Sequence, residues 1–240
     1  PNQDPYYLNT SDRGTNKNFS NTINTNLDWN IKEKNSLSFG VLLSESNGKS
    51  KSKTHTNFLD SVIDYLYAYN RYENSKDLSY NAEVNSSFRR TFKDNANDLV
   101  IAGNYAYTND KSNPIYTQKT VDVNEIEIQN IDLLQRNTSK DISHSGFVQA
   151  DYTQPFKKSK SKLELGYKFS MRDIDNELYS DSMMSNTQQY VYDSSISNKY
   201  RFHEMINGGY AIFSGAIKKI ANYKVGMRLE NTNITIKQNV

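Results

Sequence analysis

The sequence contains no cysteine, only four prolines and a single tryptophan among its 240 residues. Without cysteine the chain can form neither disulfide bonds nor thiolate metal sites. No apolar run approaches the roughly 18 residues that a membrane-spanning helix needs, and the mean hydropathy is −0.83. These absences exclude a disulfide-stapled domain and a helical membrane protein. A membrane β-barrel is not excluded, because only alternate residues of its strands face lipid.

The chain also lacks a large net charge and recognisable catalytic motifs. The formal net charge is +2, which by itself predicts nothing about nucleic acid, and we expect no nucleic-acid partner. His55, His144 and His203 are far apart in the sequence and lack metal-ligand spacing. No phosphate-binding glycine loop, Ser-His-Asp arrangement or HExxH motif occurs, so we expect no enzymatic activity, no metal site and no cofactor. The acidic stretch 173–177 lacks the glycine and spacing of an EF-hand loop, and we interpret it as a solvated loop.

The sequence does contain long segments in which apolar and polar residues alternate. From Phe19 to Ile31 the odd positions are mainly apolar and the even positions polar. Because strand side chains alternate between faces, this pattern predicts a strand with one apolar and one wet face. The pattern recurs along the chain and predicts about eight strands of roughly 10–14 residues in four hairpins, longer than globular strands. For the fourth hairpin we expect these apolar partners: Ile206, Gly208, Tyr210 and Ile212 with Tyr223, Val225, Met227 and Leu229.

Short turns and long connections alternate between these strands. Four short, mostly lysine-rich turns lie at 32–35, 93–96, 157–160 and 218–221. Long polar connections are predicted at about 45–76, 109–140 and 173–198. Short turns at one end and long loops at the other are typical of an antiparallel barrel in an outer membrane.

Tyrosine is abundant, with 18 residues, and aromatic residues gather at two places. Six recur beside the short turns, where an interfacial girdle explains them: Trp29, Phe88, Phe92, Tyr152, Phe156 and Tyr223. Four lie in the first long connection and are candidates for stacking on a sugar or siderophore: Tyr65, Tyr67, Tyr69 and Tyr72. A strand extension explains the alternation of these four, and a short helix across 57–72 is the alternative.

Two pairs of segments carry a family resemblance. Residues 147–156 read FVQADYTQPF, and LELGYK follows at 163–168 after a lysine-rich turn. Residues 209–215 read GYAIFSG, and GMRLENT follows at 226–232. From about Phe19 onward the chain resembles the barrel of TonB-dependent outer-membrane receptors of the Bacteroidota. The fold class expected is therefore all-β, as an antiparallel up-and-down transmembrane β-barrel wall that forms an open, curved sheet.

The resemblance implies import of a scarce solute across the outer membrane of a Gram-negative bacterium, driven through TonB. The solute class, whether siderophore, oligosaccharide or peptide, stays open. The implied partners are outer-membrane lipid, TonB and a plug domain, with a surface lipoprotein as a candidate. Such barrels have about 22 strands, so we expect residues 1–240 to be part of one barrel domain, without the plug and the remaining strands.

Six charged residues share the predicted polar face of the third and fourth hairpins: Glu164, Lys168, Arg172, Lys224, Arg228 and Glu230. In a receptor barrel they are candidates for lining the solute path or contacting the plug. The alternative is a ladder of mutually neutralising charges across neighbouring strands.

Two other functions remain compatible with the sequence. One is a complete small barrel of about eight strands with a structural or adhesive role. The other is a soluble β-rich binding module, because alternation alone does not say whether the apolar face meets lipid or a protein core. Pairing between the first and last strands distinguishes a small closed barrel from part of a larger one.

Overall fold

The computed structural model describes residues 7–59, 65–92, 97–122, 124–128, 133–156, 159–183, 189–217 and 220–239. Its strands are β1 Tyr7–Ile31, β2 Asn35–Leu59, β3 Tyr65–Thr91, β4 Asp98–Ser112, β5 Ile115–Val121, β6 Leu133–Phe156, β7 Ser161–Met183, β8 Tyr190–Tyr192, β9 Asn198–Ile217 and β10 Ala221–Asn239. No helix in the described part of the chain is long and apolar enough to cross a membrane.

All ten strands belong to one antiparallel sheet. Eight of them form its main path in the order β1-β2-β3-β4-β6-β7-β9-β10, while β5 pairs with β3 and β6, and β8 pairs with β7. Successive strands are neighbours throughout the path, so the wall is of the up-and-down type. Over the described residues β1 and β10 do not pair with each other, which leaves them as the two edges. The all-β, eight-strand prediction is confirmed.

Register brings the apolar positions of the strands onto one side of the sheet. One cross-strand row runs through Trp29, Leu37, Phe88, Ile101, Ala150, Tyr167, Gly209 and Leu229. We call the side that carries this row the apolar face and the opposite side the polar face. A shift of one residue in any strand would move its side chains to the other face, so the unbroken row fixes both faces.

The apolar face is not covered by any part of the chain that the structure describes. Phe19, Ile23, Leu27 and Trp29 of β1 are 57–65% exposed. The only buried hydrophobic side chains among the described residues are Ala68 and Val121, so the wall has no protein core of its own. Exposed apolar surface costs about 25 cal/mol per Å² in water. We therefore expect this face to be covered by lipid or by another apolar surface.

The short turns lie together at one end of the sheet, which we call the short-turn end; the opposite end is the loop end. Lys32–Lys34 connect β1 to β2, and Lys32 and Lys160 have positive φ angles of 62° and 52°. The turn predicted at 93–96 lies outside the described residues. Near this end the apolar face carries most of the predicted girdle, in Trp29, Phe88, Tyr152, Phe156 and Tyr223.

The prediction of long loops is wrong over most of their length. β2 continues to Leu59 and β3 begins at Tyr65, so the first connection is almost entirely strand. The helix alternative for 57–72 is also wrong over its described residues, while 60–64 lie outside them. Polar residues occupy both faces of most of these extensions, so no apolar alternation marks them. The alternating tyrosines at 65–69 are the exception, and their interpretation as a strand extension is confirmed. The backbone pairing of the extensions nevertheless continues to the ends of the strands, with one register shift between Phe58 and Leu59 where β2 pairs with β3.

The predicted facing of β9 is wrong as well. Val225 and Met227 of β10 pair with Phe213 and Ala211, and not with even-numbered residues of β9. Tyr210 and its even-numbered neighbours therefore lie on the polar face. β9 has apolar residues at both odd and even positions, so its own sequence does not show which side chains lie on the apolar face.

Candidate functional site on the polar face

A hydrogen-bonded network crosses three strands of the polar face. One row contains Asp151 of β6, Gly166 of β7, Tyr210 of β9 and Arg228 of β10. The Tyr210 hydroxyl donates to Asp151 Oδ1 at 2.6 Å, although β7 lies between the two strands. This reach is possible because Gly166 has no side chain: a Cβ there would lie 2.1 Å from Tyr210 Cε1. The missing side chain lets Tyr210 lie across β7.

A groove of about 400 Å³ opens beside this network. Its central row holds Gln149, Lys168, Gly208 and Glu230. A Cβ added to Gly208 would meet no atom closer than 3.8 Å, so this glycine leaves open space between the charged neighbours. Arg228 also lines the groove and forms an ion pair with Glu230. With both signs of charge and an amide present, the groove can bind a polar solute or peptide segment through hydrogen bonds.

The six predicted polar-face charges do occupy one face, but they are not one cluster. Lys168, Arg228 and Glu230 line the groove. Glu164 is paired with Lys162, whose Nζ lies 2.9 Å from Glu164 Oε1. The remaining two lie apart: Lys224 lines a second groove, of about 720 Å³, beside the short turns, and Arg172 lies opposite Glu204. Their role in a solute path stays a prediction.

Four residues of the site were not anticipated from the sequence: Asp151, Gln149, Tyr210 and Gly208. Gln149 Nε2 donates to Asp151 Oδ2 at 2.6 Å, which ties the groove to the network. Tyr210 and Gly208 were assigned to the apolar face, and this error hid them. The sequence of β10 could have prevented this error. The apolar side chains Tyr223, Val225, Met227 and Leu229 occupy only odd positions of β10, so the length of the turn before it determines which residues of β9 lie on the apolar face.

The four loop-end tyrosines do not form a single site. Tyr67 stacks on Phe58, with ring centroids 4.2 Å apart, and Tyr69 contacts the same ring at 5.9 Å. The Tyr65 hydroxyl donates to the carbonyl oxygen of Val121 at 2.8 Å. Tyr72 lies on the apolar side of β3, opposite Lys53. Strand alternation therefore separates Tyr72 from the other three.

Tyr72 belongs to a network around Glu127 at the loop end. The Glu127 carboxylate accepts hydrogen bonds from the Tyr72 hydroxyl, from Asn70 Nδ2 at 2.8 Å and from Lys119 Nζ at 3.1 Å. The hydrogen bond from Tyr72 is the main cause that lowers the pKa of Glu127 to about 2. Burial, with a contribution from Glu127, raises the pKa of Tyr72 to about 12. At neutral pH the pair is thus a carboxylate and a neutral phenol.

The acidic stretch 173–177, predicted to be a loop, is part of β7. Its carboxylates pair across the sheet with β9: Asp173 with His203, Asp175 with Arg201 at 2.8 Å, and Glu177 with Lys199 at 3.2 Å. This is a charge ladder of the predicted kind, but it lies on the apolar side, beyond Met171 and Met205. Within the described residues no group of three or more acidic or histidine side chains is arranged to hold a metal ion.

A comparison with protein-family profiles identifies the class of β-sheet protein to which the chain belongs. The profile of the outer membrane protein beta-barrel family matches residues 90–240, which is more than half of the chain. The chain belongs to this family. A comparison with curated protein sequences returned no match.

Membership of the outer membrane protein beta-barrel family places the chain in the outer membrane of a Gram-negative bacterium. In such barrels the apolar side faces lipid and the polar side faces the interior. Short turns are periplasmic and the longer connections extracellular. The groove and the Tyr210 network therefore face the barrel interior, and the Glu127 network lies towards the cell exterior.

Proposed function

We propose that this barrel wall belongs to a TonB-dependent receptor that imports a scarce solute. The observation that carries the proposal is the polar-face groove around Gly208, lined by charged and hydrogen-bonding side chains in a sheet whose other face is apolar. An inward-facing groove of this kind gives a solute or a plug segment polar contacts during passage. The resemblance of 147–168 and 209–232 to receptor barrels supports the same assignment.

The open edges of the sheet favour a large barrel over a small closed one. An eight-stranded barrel would pair β1 with β10, and the described residues show no such pairing. Receptor barrels close with about 22 strands, which supply the missing neighbours. In this proposal the chain acts with a plug domain, TonB and a surface lipoprotein, and it has no enzymatic activity. Siderophores, oligosaccharides and peptides are the candidate solutes.

Uptake by cells tests the function. A strain lacking the protein that carries this chain is grown with a ferric siderophore, an oligosaccharide or a peptide as the limiting nutrient. We expect it to lose uptake of one class, and a strain lacking TonB to lose the same uptake. Wild-type uptake of all three classes in the first strain, or a defect that does not depend on TonB, would contradict the proposal.

Two adjacent glycines provide a matched test of the groove. Gly208 faces the barrel interior, whereas Gly209 belongs to the lipid-facing row. Gly208→Leu fills the groove without a backbone clash, since the nearest atom to an added Cβ is 3.8 Å away. We expect uptake to fall at least about threefold for Gly208→Leu and to remain at the wild-type level for Gly209→Leu, at equal amounts in the membrane. Equal uptake by both variants would remove the groove from the solute path.

A further inference from the structure

Six basic side chains lie on the apolar side of β1, β2 and β3 towards the loop end: Arg13, Lys17, Lys49, Lys51, Lys53 and Lys76. Three of them form a cross-strand row, because Lys17 is directly opposite Lys49, and Lys49 is directly opposite Lys76. Neighbouring strands lie about 4.8 Å apart, so the backbone positions of this row fall within about 10 Å. We call Lys17, Lys49 and Lys76 the lysine row.

The carboxylates of the same segments point to the opposite face. Asp12 accepts a hydrogen bond from Thr54 at 2.9 Å, and Asp77 accepts one from Ser75 at 2.7 Å, both on the polar side. Glu73 also lies on the polar side, opposite Ser52. Among the described residues of 7–19, 47–59 and 65–78, no carboxylate therefore shares the face of the lysine row.

None of the three lysines of the row forms an ion pair within the described part of the chain. In this region two carboxylates lie on the same side but outside the row: Glu45, four residues before Lys49 on β2, and Glu127, which is paired with Lys119. In the segments that carry the row, all the lysines lie on the face of the row. Like charges placed directly opposite each other destabilise a sheet. An external anion that covers the row would remove this repulsion.

The row lies at the upper border of the lipid-facing band. Trp29, in the girdle, and Phe19 are ten residues apart in β1. At about 3.3 Å per residue and a tilt of about 40°, this span corresponds to about 25 Å, the height of the apolar band. Lys17 follows two residues beyond Phe19. The lysine row, Phe19 and Leu78 line a groove of about 540 Å³, and Asp77, whose side chain belongs to the polar side, also contributes to its wall.

We propose that the lysine row binds the phosphate groups of the phosphorylated glycolipid that forms the outer leaflet of Gram-negative outer membranes. Its ammonium groups match a phosphate in charge, and Phe19 and Leu78 lie where the acyl chains of such a lipid begin. The alternation of apolar band and basic row is the order in which acyl chains and headgroup phosphates occur in the leaflet. The proposal uses the family assignment and is independent of TonB-driven import.

Lipid binding to the whole purified protein tests the proposal. Detergent-solubilised protein is titrated with bisphosphorylated lipid A and with dephosphorylated lipid A, and the bound fraction is measured by native mass spectrometry. The test variant replaces Lys17, Lys49 and Lys76 by Gln. The charge-matched control replaces three lysines of the periplasmic turns, Lys32, Lys34 and Lys160, by Gln. A third variant, with Arg at the three row positions, keeps the charge.

We expect wild type, the turn control and the Arg variant to bind bisphosphorylated lipid A at least about tenfold more tightly than the row Gln variant. Dephosphorylated lipid A should bind all four proteins equally weakly. Heat-dependent electrophoretic mobility verifies that each variant is folded. Equal binding of the two lipids by the wild type overturns the proposal without reference to any variant. Undiminished binding by the folded row Gln variant overturns it too and leaves the row available to an acidic surface protein.

Discussion

Gly166 allows the interior network to form because it leaves space for the ring of Tyr210. A Cβ at this position would lie 2.1 Å from Tyr210 Cε1 and 2.6 Å from Asp151 Oδ1. We therefore expect Gly166→Ala to displace Tyr210 and break its hydrogen bond to Asp151, with a loss of about 1–3 kcal/mol in the free energy of unfolding. Urea unfolding of the protein in detergent micelles measures this loss.

Gly209→Ala is the control for that substitution. Gly209 lies on the neighbouring strand but faces lipid, and an added Cβ would meet nothing closer than the carbonyl oxygen of Gly166 at 3.8 Å. Its effect on stability should stay within about 0.5 kcal/mol. A Gly166→Ala variant as stable as Gly209→Ala would mean that Tyr210 does not lie across β7.

The Tyr72–Glu127 pair predicts how the extracellular end responds to pH. The folded pKa of Glu127, about 2, is below its ordinary value of 4.5. The pair therefore stabilises this end fully above about pH 4.5 and loses its effect as the pH falls through 2. Tyr72→Phe removes the hydrogen bond that is the main cause of this lowered pKa, and it should bring the pKa of Glu127 back towards 4.5. Carboxyl carbon chemical shifts, followed by NMR with labelled glutamate, measure it.

At high pH the Tyr72–Glu127 pair is lost because the Tyr72 phenol loses its proton. The pKa of Tyr72 is raised from 10.0 to about 12, so the contribution from this group is complete below pH 10 and disappears as the pH rises through 12. Glu127→Gln should lower the pKa of Tyr72 only in part, because burial is the larger cause. If the Tyr72 phenol titrates near pH 10 in the wild-type protein, the hydrogen-bonded network around Glu127 is contradicted.

At the scale of one strand, the facing of β9 has a direct test. Ala211 pairs with Leu165 and Met227 on the lipid-facing side, whereas Ile212 faces the interior opposite Glu164. An arginine near the middle of the apolar band costs about 2–4 kcal/mol on the lipid side of a barrel. Ala211→Arg should therefore reduce the folded fraction in bilayers far more than Ile212→Arg does. The reverse order would restore the facing that the β9 sequence pattern suggested.

Strands with one clearly apolar parity could be predicted from the sequence, and β1 is the best case. Its residues Phe19, Ile23, Leu27 and Trp29 alternate with Ser and Asn, and the structure places them on one face. β9 could not be oriented, because Ile206, Tyr210 and Ile212 compete with Ala211 and Phe213 at the other parity. Its facing is set by its partners β7 and β10, which contribute from outside the segment.

The extracellular strand extensions and the Tyr210 network could not be predicted from the residue pattern of any single segment, for a different reason. Segments such as 44–54 are polar on both faces, so only backbone pairing with β1 and β3 makes them strands. The contact of Tyr210 with Asp151 joins residues 59 positions apart. It depends on a glycine in a third segment, and no spacing within one strand reveals that coincidence.

At the scale of the whole molecule, the two edges of the sheet determine what kind of barrel it builds. β1 and β10 each present an unpaired ladder of backbone groups over the described residues. Such groups are satisfied in a membrane only by further strands. In the whole protein we therefore expect amides of Tyr7–Ile31 and Ala221–Asn239 to resist hydrogen exchange as strongly as those of β6 and β7. Exchange mass spectrometry of the membrane-embedded protein measures this protection.

Protection alone would also result if β1 and β10 closed on each other, so cysteine pairs must separate the two cases. The chain contributes no cysteine of its own. Thr25→Cys with Val41→Cys, a directly opposed pair, is the positive control and should oxidise to a disulfide. Thr25→Cys is then combined in turn with cysteine on the lipid side of β10, at Val225, Met227, Leu229 or Asn231. A large barrel predicts protected edges and no disulfide in this series, because other strands separate β1 from β10. A disulfide in the series would identify a closed eight-stranded barrel, and exposed edges with rapid exchange would contradict both architectures.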